Sequence, residues 1–299
     1  MVILMTALQS HPLAQDITAH LPDSLRTVFR VCAADEVTST NTVLKEAAAA
    51  AIAKEQPIIP TVLLARRQSG GRGRMGRSFH SPDGTGLYMS VLLTPDVRPC
   101  DAALLTTAAA VACAETTDAI CKNGTVGIKW VNDLYLHDRK FCGILAEAAL
   151  TPTADAFAWT VIGIGINLLP PTGGFPAEIA DTACALLDTD SIADTDALIS
   201  CLCADILVRL MRCLAPSQRD TVLAIYRQRS ILDGRAVLVR PASSLGGAEI
   251  PATVTGISDD FGLCVRYENG EEAILSSGEV VLQDGGNSVQ SARASVHLR

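Results

Sequence analysis

Arg72, Arg74 and Arg77 stand in Gly70-Gly71-Arg72-Gly73-Arg74-Met75-Gly76-Arg77, and with Arg66 and Arg67 they put five guanidinium groups into twelve residues. No carboxylate lies between Glu55 and Asp83. Glycine lets the backbone turn sharply and come close to a ligand, while arginine offers a planar fork of donors matched to phosphate or carboxylate oxygens. Five cations without a local anion repel one another. The loop is therefore expected to close over a small anionic ligand. The bland alternative is a solvated arginine loop that pairs with surface carboxylates. A phosphate-binding P-loop is excluded because no Gly-Lys-Ser/Thr follows. One copy with no stacking aromatic beyond Phe79 does not make an RNA-binding Arg/Gly repeat.

A second candidate is Ile128-Lys129-Trp130-Val131-Asn132-Asp133-Leu134-Tyr135. Read as one strand, it places Lys129, Val131 and Asp133 on one face and Ile128, Trp130 and Asn132 on the other. An ammonium beside Trp130 is expensive to bury without an anion, so Lys129 is expected to meet a carboxylate or phosphate. The plainer reading is a structural Lys129–Asp133 pair. A third run, Ile162-Gly163-Ile164-Gly165-Ile166-Asn167, gathers Gly163, Gly165 and Asn167 on one face, opposite three isoleucines that face the core. Glycines inside a strand mark close approach of a ligand or another backbone. The run lacks the third glycine of a dinucleotide fingerprint. Ser39-Thr40-Asn41 reads first as a helix cap.

The elements that must carry these groups follow from pattern. Residues 10–20 hold a short helix. The run from Thr42 through the alanines after Glu46 is a helix started by Ser39-Thr40-Asn41-Thr42. Strands are expected over 58–65, leading straight into the arginine loop, and over 86–93. A long helix spans 101–122, capped by Asp101 and stopped by Asn123-Gly124. Strands over 126–136, 143–150 and 159–168 are joined by turns short enough for an antiparallel meander. Helices occupy 195–214 and 217–229. Five short strands follow, over 236–240, 252–257, 263–267, 272–275 and 280–282, and suggest a small barrel. Residues from Asp284 onward are expected to be disordered.

A chain of 299 residues that is 48% hydrophobic and 19% charged is long enough for one sizeable core and a smaller module. Its net charge of −8 argues against general affinity for nucleic acid. The ten cysteines include no CxxC pair, which leaves a zinc or redox motif unsupported. Cys113, Cys121, Cys201, Cys203 and Cys213 lie in Ala- and Leu-rich stretches and are expected to be buried thiols. The start Met1-Val2-Ile3-Leu4-Met5 is too short for a signal core, and no stretch has the apolar length to span a bilayer. A cytoplasmic address is the expectation.

Taken together, Ser39-Thr40-Asn41, Gln68 with the Gly71–Arg77 loop, Lys129 to Tyr135, Lys140-Phe141-Cys142-Gly143-Ile144-Leu145-Ala146-Glu147 and Gly163 to Asn167 resemble, in order and spacing, the biotin–protein ligase family. The resemblance covers about residues 31–229, and the terminal barrel is similar to the small C-terminal domain of that family. One departure is Val131, where the family usually has proline. The implied fold is α+β: a mixed, largely antiparallel sheet flanked by helices, like a class II synthetase, with a small C-terminal β-barrel. The implied division is an N-terminal segment (1–30), a catalytic domain (31–229), a barrel (231–283) and a tail (284–299). The short N-terminal segment resembles the single-function kind without a DNA-binding domain, so no DNA partner is expected.

The resemblance implies ATP-dependent formation of biotinyl-5′-adenylate, with Mg²⁺, and transfer of biotin to a lysine of a biotin carboxyl carrier protein. It assigns Lys129 and Arg74 to catalysis. Ser39, Thr40, Asn41, Gln68, Gly71, Arg72, Gly73, Arg74 and Lys129 are assigned to biotin. Arg74, Arg77, Lys129, Asn132 and Asn167 are assigned to the nucleotide or adenylate. Metal ligands are not assigned, and the protein is expected as a monomer or homodimer away from any membrane. The rival readings are a lipoate–protein ligase or octanoyl transferase of the same fold, and a non-catalytic biotin-binding sensor.

Overall fold

The structure, a computed structural model, describes residues 8–121, 125–188, 194–240 and 249–282. Ahead of the main sheet, the described residues include α1 (Pro12–His20) and α2 (Asp23–Arg26). Strand β1 (Arg30–Val37) opens the main sheet with four consecutive buried residues, Val31 to Ala34. It pairs in parallel with β2 (Thr61–Gln68), and α3 (Thr40–Ala53) makes the crossover that a parallel pair requires. Ser39 holds the cap position of α3 without a side-chain hydrogen bond. The expected helix start is therefore right in place, but Thr40 and Asn41 turn their side chains elsewhere.

Strand β3 (Gly86–Leu93) is buried along its whole length. Helix α4 (Ala103–Asp118) follows. Asp101, expected to cap it, pairs with Arg98 at 2.8 Å, and the helix starts two residues later. The expected stop at Asn123-Gly124 lies outside the described residues. The single strand expected over 126–136 is a hairpin, β4 (Gly127–Lys129) and β5 (Asp133–Leu136), which turns at Trp130, Val131 and Asn132. The Trp130–Val131 peptide is cis. Alternation along one strand was thus the wrong account of this run: Lys129 and Asp133 are directly opposed cross-strand partners. Strands β6 (Arg139–Leu150) and β7 (Phe157–Asn167) complete a seven-stranded sheet ordered β1-β2-β3-β7-β6-β5-β4, antiparallel except for β1–β2.

Helix α3 packs on β2, β3 and β7 and closes a core of Cys32, Leu44, Ala48, Leu63, Leu92 and Val161. Helix α4 packs on β6 and β7 and also against α5 (Thr195–Cys213) and α6 (Arg219–Gln228). Its Ala-rich sequence suits this position, since twelve of its side chains are buried and small residues let helices approach closely. Ile162, Ile164 and Ile166 are buried, as their alternation with the glycines predicts. Of the cysteines expected to be buried, Cys113, Cys203 and Cys213 are, whereas Cys201 is exposed and Cys121 half-buried. Cys201 sits on the outer face of α5, where Ala and Leu neighbours in sequence do not face it in space.

Met1–Ile231 and Leu232–Arg299 form two compact units. The second contains β8 (Ala236–Arg240), β9 (Ile250–Ile257), β10 (Leu263–Tyr267), β11 (Glu272–Leu275) and β12 (Glu279–Leu282). They form one antiparallel sheet ordered β11-β10-β9-β8-β12. The five strands expected there are all present. The tail from Asp284 lies outside the described residues. No described helix is long and apolar enough to cross a membrane.

Candidate active site

The site begins as one transverse row of the sheet. Tyr88 on β3 opposes Gly165 on β7, Gly165 opposes Gly143 on β6, Gly143 opposes Asp133 on β5, and Asp133 opposes Lys129 on β4. Directly opposed residues point to the same face, so five strands contribute to one line. From Gly165 to Lys129 the line takes three strand steps of about 4.8 Å each. Its middle is floored by two glycines. A Cβ on Gly165 would lie 2.6 Å from the Phe79 ring, and one on Gly143 would lie 3.3 Å from it. Phe79 therefore seats on bare backbone, edge-on to Tyr88 with ring centroids 6.4 Å apart. Tyr88 donates to the Pro82 carbonyl, and burial pushes its phenol up to about 12.

The next row along the sheet, Ser90–Gly163–Leu145, carries the amide cluster. A Cβ on Gly163 would stand 2.1 Å from Asn41 Oδ1, so only glycine leaves room for that amide. Ser90 Oγ lies 2.6 Å from both Asn41 Oδ1 and Thr40 Oγ1. Its single proton serves one acceptor at a time, and an amide oxygen only accepts, so Thr40 can donate in turn. Gln68 Oε1 accepts from the Thr40 backbone at 3.0 Å, and its Nε2 donates to Ser81 Oγ at 2.9 Å. Ser39, Thr40, Asn41, Ser81 and Ser90 are all buried. Asn41 Nδ2 donates to Leu145 O at 3.2 Å and to Glu147 Oε2 at 2.9 Å.

Glu147 collects the charges. Lys45 Nζ lies 2.6 Å and Arg72 Nη1 3.2 Å from its Oε1. Burial alone would raise its pKa, but hydrogen bonds from Lys45 and Asn41 and the charges of Lys45 and Arg72 outweigh this and hold it below the ordinary 4.5. Carboxylates from other elements also reach Arg66 and Arg67. Arg66 binds Asp196 through both terminal nitrogens and approaches Asp35, and Arg67 lies 3.6 Å from Glu36. The expectation that the arginine cluster lacks anions is thus corrected: they arrive from β1, β6 and α5, where a local reading of sequence does not see them.

The arginine loop has a ladder of its own. Gln68 N donates to Ser81 O, Phe79 N to Gly71 O, and Gly73 N to Arg77 O. Gly71 is buried, and a Cβ there would lie 2.3 Å from Phe79 O. Arg74 Nη1 reaches Asn132 Oδ1 at 2.9 Å, and Asn132 Nδ2 donates to Ile144 O, which ties the loop to the β4–β5 turn. Arg72 and Arg77 are exposed. Lys129 is half-buried, with Nζ 5.6 Å from the centre of the Tyr135 ring. Asp133 Oδ1 is paired with Lys140 Nζ at 2.7 Å. Asn167 stands at the end of β7 and donates to Cys184 O at 3.2 Å.

Lys45, Ser81, Ser90 and Glu147 are members of this cluster that motif reading did not single out as site residues. Only Glu147 carried a signal, as the last residue of a quoted motif. Among the described residues no group of three or more His, Cys, Asp or Glu is arranged to hold a metal.

Residues 33–167 match the model of the Biotin/lipoate A/B protein ligase family. Over 126 residues the chain is 39% identical to the Bifunctional ligase/repressor BirA of Bacillus spizizenii, covering 42% of this chain and 38% of that protein. The chain thus spans well under half the length of that relative. The Biotin–[acetyl-CoA-carboxylase] ligase of Mycobacterium tuberculosis is 29% identical over 224 residues, 74% of this chain and 78% of its own. A solved biotin protein ligase from Aquifex aeolicus, in complex with biotin and ATP, superposes with a TM-score of 0.62 at 27% identity, covering 85% of this chain and 98% of that one.

Two expectations follow from the packing. Gly163→Ala should cost about 1–3 kcal/mol through overpacking, read as a lower urea midpoint; an unchanged midpoint would mean that Asn41 is not held where described. The fold favours the charged form of Glu147, so the stability this adds is present above 4.5 and is lost as pH falls through its lower folded value. The stability gap between wild type and Glu147→Gln should therefore be widest near neutrality and shrink in acid, as urea melts across pH would show. A gap independent of pH would contradict the ion pairing.

Proposed function

We propose that the chain, whose residues 33–167 match the model of the Biotin/lipoate A/B protein ligase family, activates biotin with ATP to biotinyl-5′-adenylate and passes the acyl group to a lysine of a biotin carboxyl carrier domain. The observation that carries the reading is the shared face on which a buried hydroxyl and amide cluster, the arginine loop and Lys129 meet. The ureido ring of biotin has donors and acceptors at once, and Thr40, Asn41 and Gln68 offer both. The far end of biotin is a carboxylate. Bringing it to a triphosphate sets two anions side by side, which Arg72, Arg74 and Lys129 would offset.

In the first step a biotin carboxylate oxygen bonds to the α-phosphorus, and the bond to the bridging oxygen breaks as pyrophosphate leaves. Lys129 is the residue we assign to the negative charge that grows on the α-phosphoryl oxygens. Arg74, tethered to Asn132, would cover the mixed anhydride and keep water from it. In the second step the neutral acceptor-lysine nitrogen bonds to the acyl carbon, the acyl–oxygen bond to the phosphate breaks as AMP departs, and the amine gives up one proton to solvent. Arg77, Asn132 and Asn167 remain assigned to the nucleotide by resemblance. Asp133 is engaged by Lys140 and has no further acidic neighbour in a metal-holding arrangement among the described residues. The residues therefore fit Mg²⁺ only as an ion brought by the nucleotide phosphates and water, where it would neutralise phosphate charge.

Exchange of labelled pyrophosphate into ATP tests the substrate directly. Biotin is expected to support exchange, and lipoate or octanoate is not. Exchange with lipoate alone would keep the fold and overturn the substrate, while tight biotin binding with no exchange would point to a sensor. Lys129→Ala should slow biotin-dependent exchange by at least about two orders of magnitude. A near-normal rate would remove Lys129 from the chemistry.

A further inference from the structure

Glu147 Oε1 has two cationic neighbours on different elements. Lys45 reaches it from the second turn of α3 at 2.6 Å, and Arg72 reaches it from the exposed loop at 3.2 Å. The two cations are not equivalent. Lys45 Nζ makes a hydrogen bond and its side chain is 29% exposed, whereas Arg72 makes the longer contact and is 44% exposed. The carboxylate itself is 20% exposed and holds Asn41 through its other oxygen. A half-buried carboxylate left without a cation is costly, so a lone partner would be held tightly. With Lys45 in place, Glu147 stays neutralised when Arg72 departs.

We propose that Lys45 and Glu147 are positioning residues that keep Arg72 transferable, parked on a protein carboxylate and released to the carboxylate of the incoming acid. Glu147 sets where the guanidinium waits, and Lys45 sets how cheaply it leaves. No covalent bond changes in this exchange. One carboxylate replaces another as the partner of Arg72, while the Glu147–Lys45 and Glu147–Asn41 contacts persist. This inference rests on the biotin-ligase reading for the identity of the incoming acid.

The arrangement makes an unusual demand on two substitutions. Lys45→Met leaves Arg72 as the sole cation on Glu147 and should weaken biotin binding by about five- to tenfold. Glu147→Gln removes the competing charge but keeps an acceptor for Asn41. Added to Lys45→Met, it should restore most of the lost affinity. Lys45→Arg, which keeps the cation, should bind more tightly than Lys45→Met. Calorimetric titration of biotin into the full chain and each variant, with a thermal melt to confirm folding, reads all of these. A double variant weaker than Lys45→Met, or a Lys45→Met variant that binds like wild type, overturns the exchange. If wild type itself does not bind biotin, the biotin reading falls and this proposal falls with it. If wild type binds biotin and the losses add, only the exchange is lost.

Discussion

The site depends on backbone that has no side chain above it. At Gly163 the space that a Cβ would fill belongs to the Asn41 amide oxygen, and at Gly165 it belongs to the Phe79 ring. A β-sheet normally keeps its neighbours at a distance set by its own side chains. Removing them at adjacent same-face positions of a central strand lets polar groups descend onto the sheet itself. Strand interiors disfavour glycine, and β7 tolerates it because β3 and β6 pair with it on both sides and the isoleucines between are buried. Everything placed on that floor inherits its rigidity from the sheet.

Charge is organised around the floor in two ways. Arg66 and Arg67, at the end of β2, are paired with carboxylates of β1 and α5. On the loop beyond them, Arg72 reaches Glu147 and Arg74 reaches the neutral Asn132. The two cations at the strand end thus tie β2 to β1 and α5, while Arg72 and Arg74 tie the loop to β6 and to the β4–β5 turn. Asn132 matters because it binds β6 through both backbone groups of Ile144 and still presents its oxygen to Arg74.

Much of the main sheet was legible because its strands are written in β-branched and leucine runs, and the second unit because its strands are short and evenly punctuated. The alternation of glycine and isoleucine in β7 gave the right faces. The β4–β5 hairpin is not legible in the sequence, since Trp130, Val131 and Asn132 carry no Gly or Pro to signal a turn. A strand and a tight hairpin also both put Lys129 and Asp133 on one face. The partners of the arginines were invisible because they come from elements up to 130 residues away, as in Arg66 and Asp196. In sequence Ser90 reads as one more residue of an apolar strand; its contacts with Thr40 and Asn41 arise only when β3 lies beneath the start of α3.

Because that floor is shared among β3, β6 and β7, it has no local precursor. Asn41 meets partners more than a hundred positions later, Leu145 and Glu147. Contacts of such long range form late and slowly in folding, after loop closure has been achieved. A growing chain therefore lacks this polar cluster until β7 has joined the sheet. A ligand that needs the completed cluster would bind the finished fold and not its intermediates, and so draw the folding equilibrium toward completion by mass action.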